Sequence, residues 1–157
     1  MLVLQKGFNY SQDGPGNRLV YHLQGCNFAC KWCSNADSIP RENPKAKERS
    51  GDDIFDEIMR SRMMFFDGGG VTFTGGECTL WYAELLPLFK RLHEQGISVA
   101  IETNASSVHL PELAEYVDHL IVDLKHFDDE QHIKWVGASL KETKKNIEFF
   151  FASGREI

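Results

Sequence analysis

Short apolar stretches alternate with amphipathic stretches along this chain, and this pattern predicts strands and helices in turn. Residues 18–24, 71–74, 97–102 and 119–123 are runs of apolar and β-branched residues with the length of strands. Between and after them, apolar residues recur at helical spacing. The pattern therefore predicts a parallel sheet with helices packed outside it.

Five helix candidates follow or separate these strands. Ser50 can cap the first, and Ser139 and Glu142 have the spacing of a capping box at the start of the last. The other three candidates span residues 80–95, 110–116 and 128–136. After the last helix, residues 155–157 have the pattern of a strand that is just beginning.

Cysteines and polar residues follow each strand candidate at its carboxyl end. In parallel α/β sheets these ends meet at one edge, and functional residues gather there. The sequence therefore predicts one site built from four segments, residues 26–33, 75–77, 102–104 and 123–125.

The composition describes a soluble domain without a membrane span. The chain has 157 residues, of which 42% are hydrophobic and 25% are charged, as in ordinary globular proteins. Its formal net charge of −6 argues against a nucleic-acid binder. No apolar run has the length of a membrane span, and residues 1–10 lack the apolar core of a secretory signal. We therefore expect a cytoplasmic protein with neither nucleic acid nor membrane as a partner.

Three of the four cysteines, Cys26, Cys30 and Cys33, lie within eight residues. In a reducing compartment such a cluster indicates a metal site rather than a disulfide framework. Iron–sulfur clusters take cysteine thiolates, normally four, so three would leave one iron open, as a catalytic site requires. A zinc site that includes Cys78 is the alternative, although structural zinc more often has two close ligand pairs. We expect Cys78 to be a small core residue instead.

The spacing C-x3-C-x-aromatic-C, which follows a strand and Gln24-Gly25, resembles that of the radical S-adenosylmethionine superfamily. Residues 13–18 (DGPGNR) are similar to the DGPG-x-R element of glycyl-radical-enzyme activating enzymes. Residues 68–77 (GGGVTFTGGE) resemble the GGGVT-x-SGGE segment of the pyruvate formate-lyase activating group. Residues 102–104, residues 123–125 and the pair His132 and Gly137 follow in the order of that group's DTN, DLK and H-x4-G motifs.

The resemblance implies an α/β fold of the radical S-adenosylmethionine type. This fold is a partial (β/α) barrel with about four to five βα units, parallel strands and outer helices. Residues 1–157 would form one such domain without the last strands of longer family members, because a fifth strand begins where the sequence ends. The resemblance also implies two cofactors, a [4Fe–4S] cluster on Cys26, Cys30 and Cys33, and S-adenosylmethionine on the open iron.

Eight residues match family positions around the bound cofactor: Trp32, Ser34, Gly75, Gly76, Glu77, Asp123, Leu124 and Lys125. Trp32 would pack on the adenine, Gly76 would lie against the methionyl amino group, and Lys125 would pair with the carboxylate. Ser34 stands where the group often has a histidine. Each of these residues could by itself be only a turn residue or a surface charge, but their place at successive strand ends favours a shared site.

Two further sets of residues carry over from the same resemblance. A monovalent cation beside the cofactor would take Glu102, Thr103, Asp123 and the carbonyl of Ile121, although Glu102 is one methylene longer than the family's aspartate. The target peptide would lie on the side of Asp13, Gly14 and Arg18.

The implied activity is reductive cleavage of S-adenosylmethionine, followed by removal of a glycine hydrogen atom from a partner glycyl radical enzyme of the pyruvate formate-lyase type. A flavodoxin- or ferredoxin-type protein would supply the electron. Alternatives are an activator of anaerobic ribonucleotide reductase, a related enzyme that acts on a small molecule or another peptide, and a non-catalytic metal-binding module. The DGPG-x-R element favours the activating group.

Overall fold

The computed structural model describes all 157 residues, and six strands form one sheet. In chain order the strands are β1 (Leu2–Tyr10), β2 (Asn17–Leu23), β3 (Lys47–Glu48), β4 (Gly70–Gly75), β5 (Val99–Thr103) and β6 (His119–Val122). Across the sheet the order is β3-β1-β2-β4-β5-β6. The strands β2, β4, β5 and β6 are parallel, whereas β1 runs antiparallel to both of its neighbours.

Five α-helices accompany the sheet: α1 (Gly51–Ser61), α2 (Tyr82–Glu94), α3 (Leu110–Ala114), α4 (Asp129–Val136) and α5 (Lys141–Ser153). Ser50 caps α1 in a capping box with Asp53, as its position predicts. A 3₁₀ turn, Cys78–Trp81, precedes α2, so the regular helix starts two residues later than expected. None of the helices has the length and apolar character that a membrane crossing requires.

The outer face of the sheet packs against α1 and α2 and holds the hydrophobic core. Tyr21 of β2 stacks on Phe73 of β4, with 5.4 Å between ring centroids, and Phe73 contacts Phe89 of α2 at 5.2 Å. Ile54 and Ile58 of α1 are fully buried in the same cluster. Burying one side chain of this kind stabilises the fold by about 2–3 kcal/mol, so this layer anchors the strands that end at the predicted site.

The inner face of the sheet, opposite the helices, contains a buried arginine near the amino ends of the strands. Arg18 of β2 is fully buried. Its Nε donates to Thr72 Oγ1 at 2.7 Å, and its Nη2 donates to the carbonyls of Val71 and Ser98 at 2.8 and 3.1 Å. Burial lowers the pKa of Arg18 to about 10, because a low-dielectric surrounding disfavours the charged form. The guanidinium thereby joins β2 and β4 to the start of β5.

The loop between β1 and β2 folds onto this inner face. The carbonyl of Asp13 accepts a hydrogen bond from Thr72 Oγ1 at 2.7 Å. Gly14 has a φ of 113°, and a Cβ there would come within 3.1 Å of the Arg18 side chain. Arg18, which was expected on the side of a target peptide, lies on this inner face with its side chain buried, and it holds the loop from below.

The sheet contains two strands, β1 and β3, that the sequence pattern did not predict. Strand β1 pairs with β2 from Val3 to Tyr10, and β3 adds a two-residue pairing at the far edge. The sheet is therefore mixed rather than wholly parallel. The residues of β1 are mostly exposed and include Gly7, so the segment lacks the alternation of apolar and polar residues that marks a half-buried strand.

Two expectations for the C-terminal region are wrong. Leu140, not Ser139, is the N-cap of α5, and Ser139 Oγ instead donates to Asp129 Oδ1 at 2.9 Å. Residues 155–157 form no strand. The backbone N–H of Arg155 donates to the carbonyl of Phe150 at 3.1 Å, which turns the chain back onto the end of α5. Among residues 1–157, β6 is the last strand in the sheet order.

Helix α5 supports the site through buried polar side chains. Thr143 Oγ1 donates to the carbonyl of Asn104 at 2.9 Å, and Asn146 Nδ2 donates to the carbonyls of Ala105 and Ser107, both at 2.8 Å. Ala105 has a φ of 57°, a backbone conformation that costs a non-glycine residue energy. These bonds hold the loop that leaves β5 in this conformation.

We predict that Arg18→Leu lowers the free energy of unfolding by about 3 kcal/mol, because the substitution leaves several buried carbonyl and hydroxyl acceptors without a donor. Urea titration followed by far-ultraviolet circular dichroism measures the change. The control is Arg60→Leu at an exposed position of α1, for which a change within about 0.5 kcal/mol is expected. Equal stabilities of the two variants would contradict this account of Arg18.

Candidate active site

A cavity of about 310 Å³ opens at the carboxyl ends of β4, β5 and β6. Most of the residues expected at the site line it: Cys26, Cys30, Trp32, Cys33, Ser34, Gly75, Gly76, Glu102, Thr103, Asp123 and Lys125. The strand order brings together segments that lie up to about a hundred residues apart in the chain, as expected for a site at the carboxyl ends of parallel strands.

Several other expected residues lie outside the cavity wall. Glu77 is buried behind it, and the side chain of Leu124 is about half exposed. Ile121 lies on β6 opposite Glu102 of β5. The loop residues Asp13 and Gly14 lie on the inner face of the sheet, further from the cysteines.

The cysteine loop is held at both of its ends by backbone hydrogen bonds. The N–H groups of Gly25 and Cys26 donate to the carbonyls of Ser38 and Ile39, at 2.8 and 3.1 Å. At the other end, the N–H of Ala29 donates to the carbonyl of Val136 at 2.8 Å, and the N–H of Lys31 donates to that of Trp135 at 3.0 Å. Because the last carbonyls of a helix have no partner inside it, the end of α4 is a natural acceptor for this loop.

His132 and Gly137 fix this contact between α4 and the cysteine loop. Gly137 ends α4 in the left-handed region with a φ of 82°, which glycine adopts without strain. His132 is fully buried, and its Nδ1 lies 2.6 Å from the carbonyl of Ala138. Because a carbonyl can only accept, Nδ1 carries the proton. The imidazole packs edge to face against Phe28 of the cysteine loop.

The three loop thiols share one partly buried environment, and Cys78 does not belong to it. Burial raises the pKa of Cys26 to about 11 and also raises the pKa of Cys30, although Lys125 acts against the latter shift. Cys78 is fully buried in the hydrophobic core, with Sγ 3.5 Å from the carbonyl of Glu102. No three histidine, cysteine or acidic side chains converge on the position of a single ion. In a [4Fe–4S] cluster each thiolate binds a different iron, and three thiols that line one cavity fit that group.

Gly75 and Gly76 are required by the packing of the backbone. Gly75 has a φ of 114°, and a Cβ on Gly76 would lie 2.1 Å from the carbonyl oxygen of Gly25. The N–H of Gly76 donates to the carbonyl of Leu23 at 2.9 Å. The turn after β4 therefore lies directly against the backbone that leads into Cys26. A side chain at residue 76 would displace the cysteine loop as well as any ligand.

Glu77 joins the ends of two strands behind the cavity. Its Oε1 accepts hydrogen bonds from Thr79 N, Thr79 Oγ1 and Thr103 Oγ1, at 3.1, 2.6 and 2.7 Å. Its Oε2 accepts from the N–H of Asn104 at 2.8 Å. The structure thus changes the role expected for Glu77 from contact with a cofactor to positioning of the residues that line the cavity.

Acidic side chains dominate the β5 and β6 side of the cavity. Burial raises the pKa of Glu102, and the nearby carboxylates of Asp13 and Asp123 add to this rise, while a hydrogen bond from Thr74 opposes it. Lys125 forms an ion pair with Asp123. The hydroxyl of Thr103, one of the expected cation ligands, donates its proton to Glu77 Oε1 at 2.7 Å.

Six residues that line the cavity had no individual role in the sequence analysis: Phe28, Asn35, Ser38, Ile39, Thr74 and Asn104. Phe28, Asn35 and Asn104 belong to or adjoin the recognised motifs. Their positions in the chain could therefore have indicated that they line the site. Ser38 and Ile39 enter through the backbone pairing with Gly25 and Cys26, which no local pattern indicates.

A cavity lined by three cysteines at the carboxyl ends of parallel strands defines a class, an α/β protein built to hold a thiolate-bound metal cluster. Within that class, the model of the radical SAM superfamily matches residues 20–157. The chain belongs to the radical S-adenosylmethionine superfamily. The two cofactors expected from the resemblance, a [4Fe–4S] cluster and S-adenosylmethionine, are those that this family implies.

Similar curated proteins are pyruvate formate-lyase-activating enzymes. The one from Streptococcus mutans is 34% identical over 139 residues, which cover 83% of this chain and 53% of that protein. The one from Staphylococcus epidermidis is 37% identical over 134 residues, which cover 80% and 53%. The chain therefore spans about half the length of the curated relatives that it matches.

Solved structures with the same architecture confirm the expected fold class. Streptococcus suis SuiB bound to S-adenosylmethionine aligns with a TM-score of 0.66 at 21% identity, over 87% of this chain and 31% of that one. QueE from Escherichia coli aligns with a TM-score of 0.58 at 17% identity, over 99% and 91%. At these identities the likeness is one of fold and not of reaction.

We predict that Cys30→Ala abolishes the cluster, whereas Cys78→Ala retains it, because Cys30 lines the cavity and Cys78 packs in the core. After anaerobic reconstitution, iron and sulfide content and the visible absorbance band measure the cluster. Cys26→Ala and Cys33→Ala should behave like Cys30→Ala. Loss of the cluster in Cys78→Ala to the same extent, in protein that remains folded by circular dichroism, would refute the ligand assignment.

We predict that Glu77→Gln lowers the free energy of unfolding by about 2 kcal/mol. The amide cannot accept from all the donors that surround the carboxylate, and its NH₂ group would face another donor. Thermal and urea unfolding measure the loss. The matched control is Glu84→Gln on the exposed face of α2, and a loss of equal size there would speak against the role assigned to Glu77.

Proposed function

We propose that this chain carries the catalytic site of a glycyl-radical-enzyme activating enzyme of the pyruvate formate-lyase type. One observation carries the proposal. The loop that resembles the DGPG-x-R element lies on the inner face of the sheet, and its Asp13 neighbours Glu102 of the cavity wall. The similarity to curated activating enzymes over most of this chain supports the same function.

In this proposal the chain's own residues bind and orient the two cofactors. Cys26, Cys30 and Cys33 hold the cluster. When both cofactors are bound, they supply one-electron chemistry that cleaves a C–S bond of the sulfonium and takes a hydrogen atom from a glycine, which leaves methionine, 5′-deoxyadenosine and a glycyl radical. Trp32 lies at the rim, about half exposed, where its ring can cover the adenine.

Lys125 and Asp123 orient the methionyl part of S-adenosylmethionine. Their ion pair places an ammonium and a carboxylate at the cavity wall, and these groups complement the carboxylate and the amino group of the methionyl part. Burial raises the pKa of the Cys30 thiol, and the nearby Lys125 ammonium opposes this rise. Glu102, Thr103, Asp123 and the carbonyl of Ile121 would hold a monovalent cation beside them.

The glycine of the partner enzyme enters along the inner face of the sheet. Asp13 stands on this path, and its carboxylate accepts a hydrogen bond from Asn9 Nδ2 at 2.5 Å, which fixes its orientation. A flavodoxin- or ferredoxin-type protein supplies the electron. The site must hold S-adenosylmethionine and a peptide segment together, so that the reacting atoms are held close and in line.

We predict that the reconstituted chain transfers deuterium from glycine to 5′-deoxyadenosine. The experiment supplies S-adenosylmethionine, dithionite and a seven-residue peptide whose central glycine carries two deuterons on its α-carbon. Mass spectrometry of the 5′-deoxyadenosine measures the transfer, and electron paramagnetic resonance detects the glycyl radical. The same peptide with alanine in place of glycine is the substrate control, and Cys30→Ala is the protein control.

Unlabelled 5′-deoxyadenosine from a peptide that is shown to bind would reject glycine as the hydrogen donor. The result would then favour a radical S-adenosylmethionine reaction on another substrate. Absence of 5′-deoxyadenosine from protein with a full cluster would favour a non-catalytic metal-binding module.

A further inference from the structure

A row of side chains crosses the inner face of the sheet just below the cysteine loop. Gln5 of β1 is opposite His22 of β2, and His22 is opposite Thr74 of β4. Thr74 Oγ1 donates to Glu102 Oε2 of β5 at 2.6 Å, and Glu102 is opposite Ile121 of β6. The cavity with the three cysteines lies above the Thr74 and Glu102 end of this row. The function proposed above does not use the Gln5 and His22 end.

A second cavity, of about 400 Å³, lies at this unused end. Gln5 and His22 line it from the sheet, and Lys45 lines it from the loop before β3. Ser34, Asn35 and Ser38 line both cavities, so the segment that follows Cys33 is their common wall. A chain segment bound beside the cysteines therefore has a neighbouring cavity along the same face.

Most residues that line the second cavity are polar, although Leu4 and Ala36 also line it, and its two charged side chains pair with each other. The Lys45 ammonium pairs with Asp37 at 2.9 Å. His22 has a buried Nδ1 without a hydrogen-bond partner, and burial lowers the pKa of this imidazole, although Asp13 acts against the shift. A neutral imidazole next to the carboxamide of Gln5 can both donate and accept hydrogen bonds. A buried polar atom without a partner costs free energy, which a ligand can recover by bonding to it.

We propose that the cavity lined by Gln5, His22 and Asn35 is a side-chain subsite of the target peptide, which selects a neutral hydrogen-bonding side chain, an amide or a hydroxyl, near the reactive glycine. The inference rests on the proposed function, because it takes the occupant of the main cavity to be a peptide. The exposed Lys45 and Asp37 side chains pair with each other, so the lining has no unpaired charge that would favour a charged side chain. An aliphatic side chain would leave the buried Nδ1 of His22 without a hydrogen-bond partner, and a site with an unpaired polar atom discriminates more strongly than an apolar site does.

The test is a peptide series on the anaerobically reconstituted full chain with S-adenosylmethionine bound. The parent peptide has seven residues, alanine at every position except the central glycine, and each other position in turn becomes asparagine or leucine. Fluorescence anisotropy measures the affinity. We expect one position at which asparagine binds roughly tenfold tighter than leucine, as one or two neutral hydrogen bonds allow.

Two variants and a control assign this preference to the subsite. In His22→Leu, the affinity for the asparagine peptide divided by that for the leucine peptide should fall to about one. Cluster content and S-adenosylmethionine binding should stay unchanged. Gln5→Ala, at an exposed position that does not endanger folding, should reduce the ratio as well. His93→Leu on α2, where the imidazole packs against Tyr116, should keep it.

Each result separates this inference from the proposed function. A preference that persists in both His22→Leu and Gln5→Ala overturns the subsite and leaves the function intact. The absence of any asparagine preference in the unaltered chain also overturns it. A preference that the variants abolish, without deuterium transfer from any bound peptide, supports the subsite and rejects glycine activation. Failure of every peptide to bind contradicts both.

Discussion

The site depends on one buried carboxylate, that of Glu77, which holds the carboxyl ends of β4 and β5 in register. It accepts hydrogen bonds from the 3₁₀ turn after β4 and from Thr103 and Asn104 at the end of β5. The N–H of Glu77 also donates to the carbonyl of Gly25 at 2.8 Å, directly before Cys26. A charged acceptor that several donors satisfy inside the protein is strongly held in place. The walls of the cavity are therefore fixed relative to the cysteine loop before any cofactor binds.

Groups that do not line the cavity support this arrangement from three places. From the end of α4, two backbone carbonyls and His132 hold the cysteine loop. From α5, Thr143 and Asn146 hold the loop after β5. At the far end of the inner face, Arg18 satisfies carbonyls of β4 and of the segment before β5. The residues that position the site are thus buried polar groups, whose loss costs more than that of most surface contacts.

The inner face divides into two chemical environments along one row of residues. At the Glu102 end, burial and the neighbouring carboxylates raise the pKa of Glu102, and Lys125 forms an ion pair with Asp123. At the His22 end, the groups are neutral or already paired. Under the proposed function, charge separates the region for the cofactor from the region for a peptide side chain. The β-strand register, in which Gln5, His22 and Thr74 are neighbours, makes the two regions continuous.

The sequence alone determined the alternation of strands and helices, the four parallel strands and the motifs that gather at their carboxyl ends. These features follow from local periodicity and from residue types with a specific chemistry, such as the spacing of Cys26, Cys30 and Cys33. Tertiary structure decided what no local pattern contains. It made β1 a strand although β1 is mostly exposed, because pairing with β2 satisfies its backbone. It turned residues 155–157 away from the sheet and replaced the expected cap of α5 by a bond from Ser139 to Asp129. It also made Glu77 and Arg18 interior residues, since a charged side chain is buried only where distant segments supply its hydrogen-bond partners.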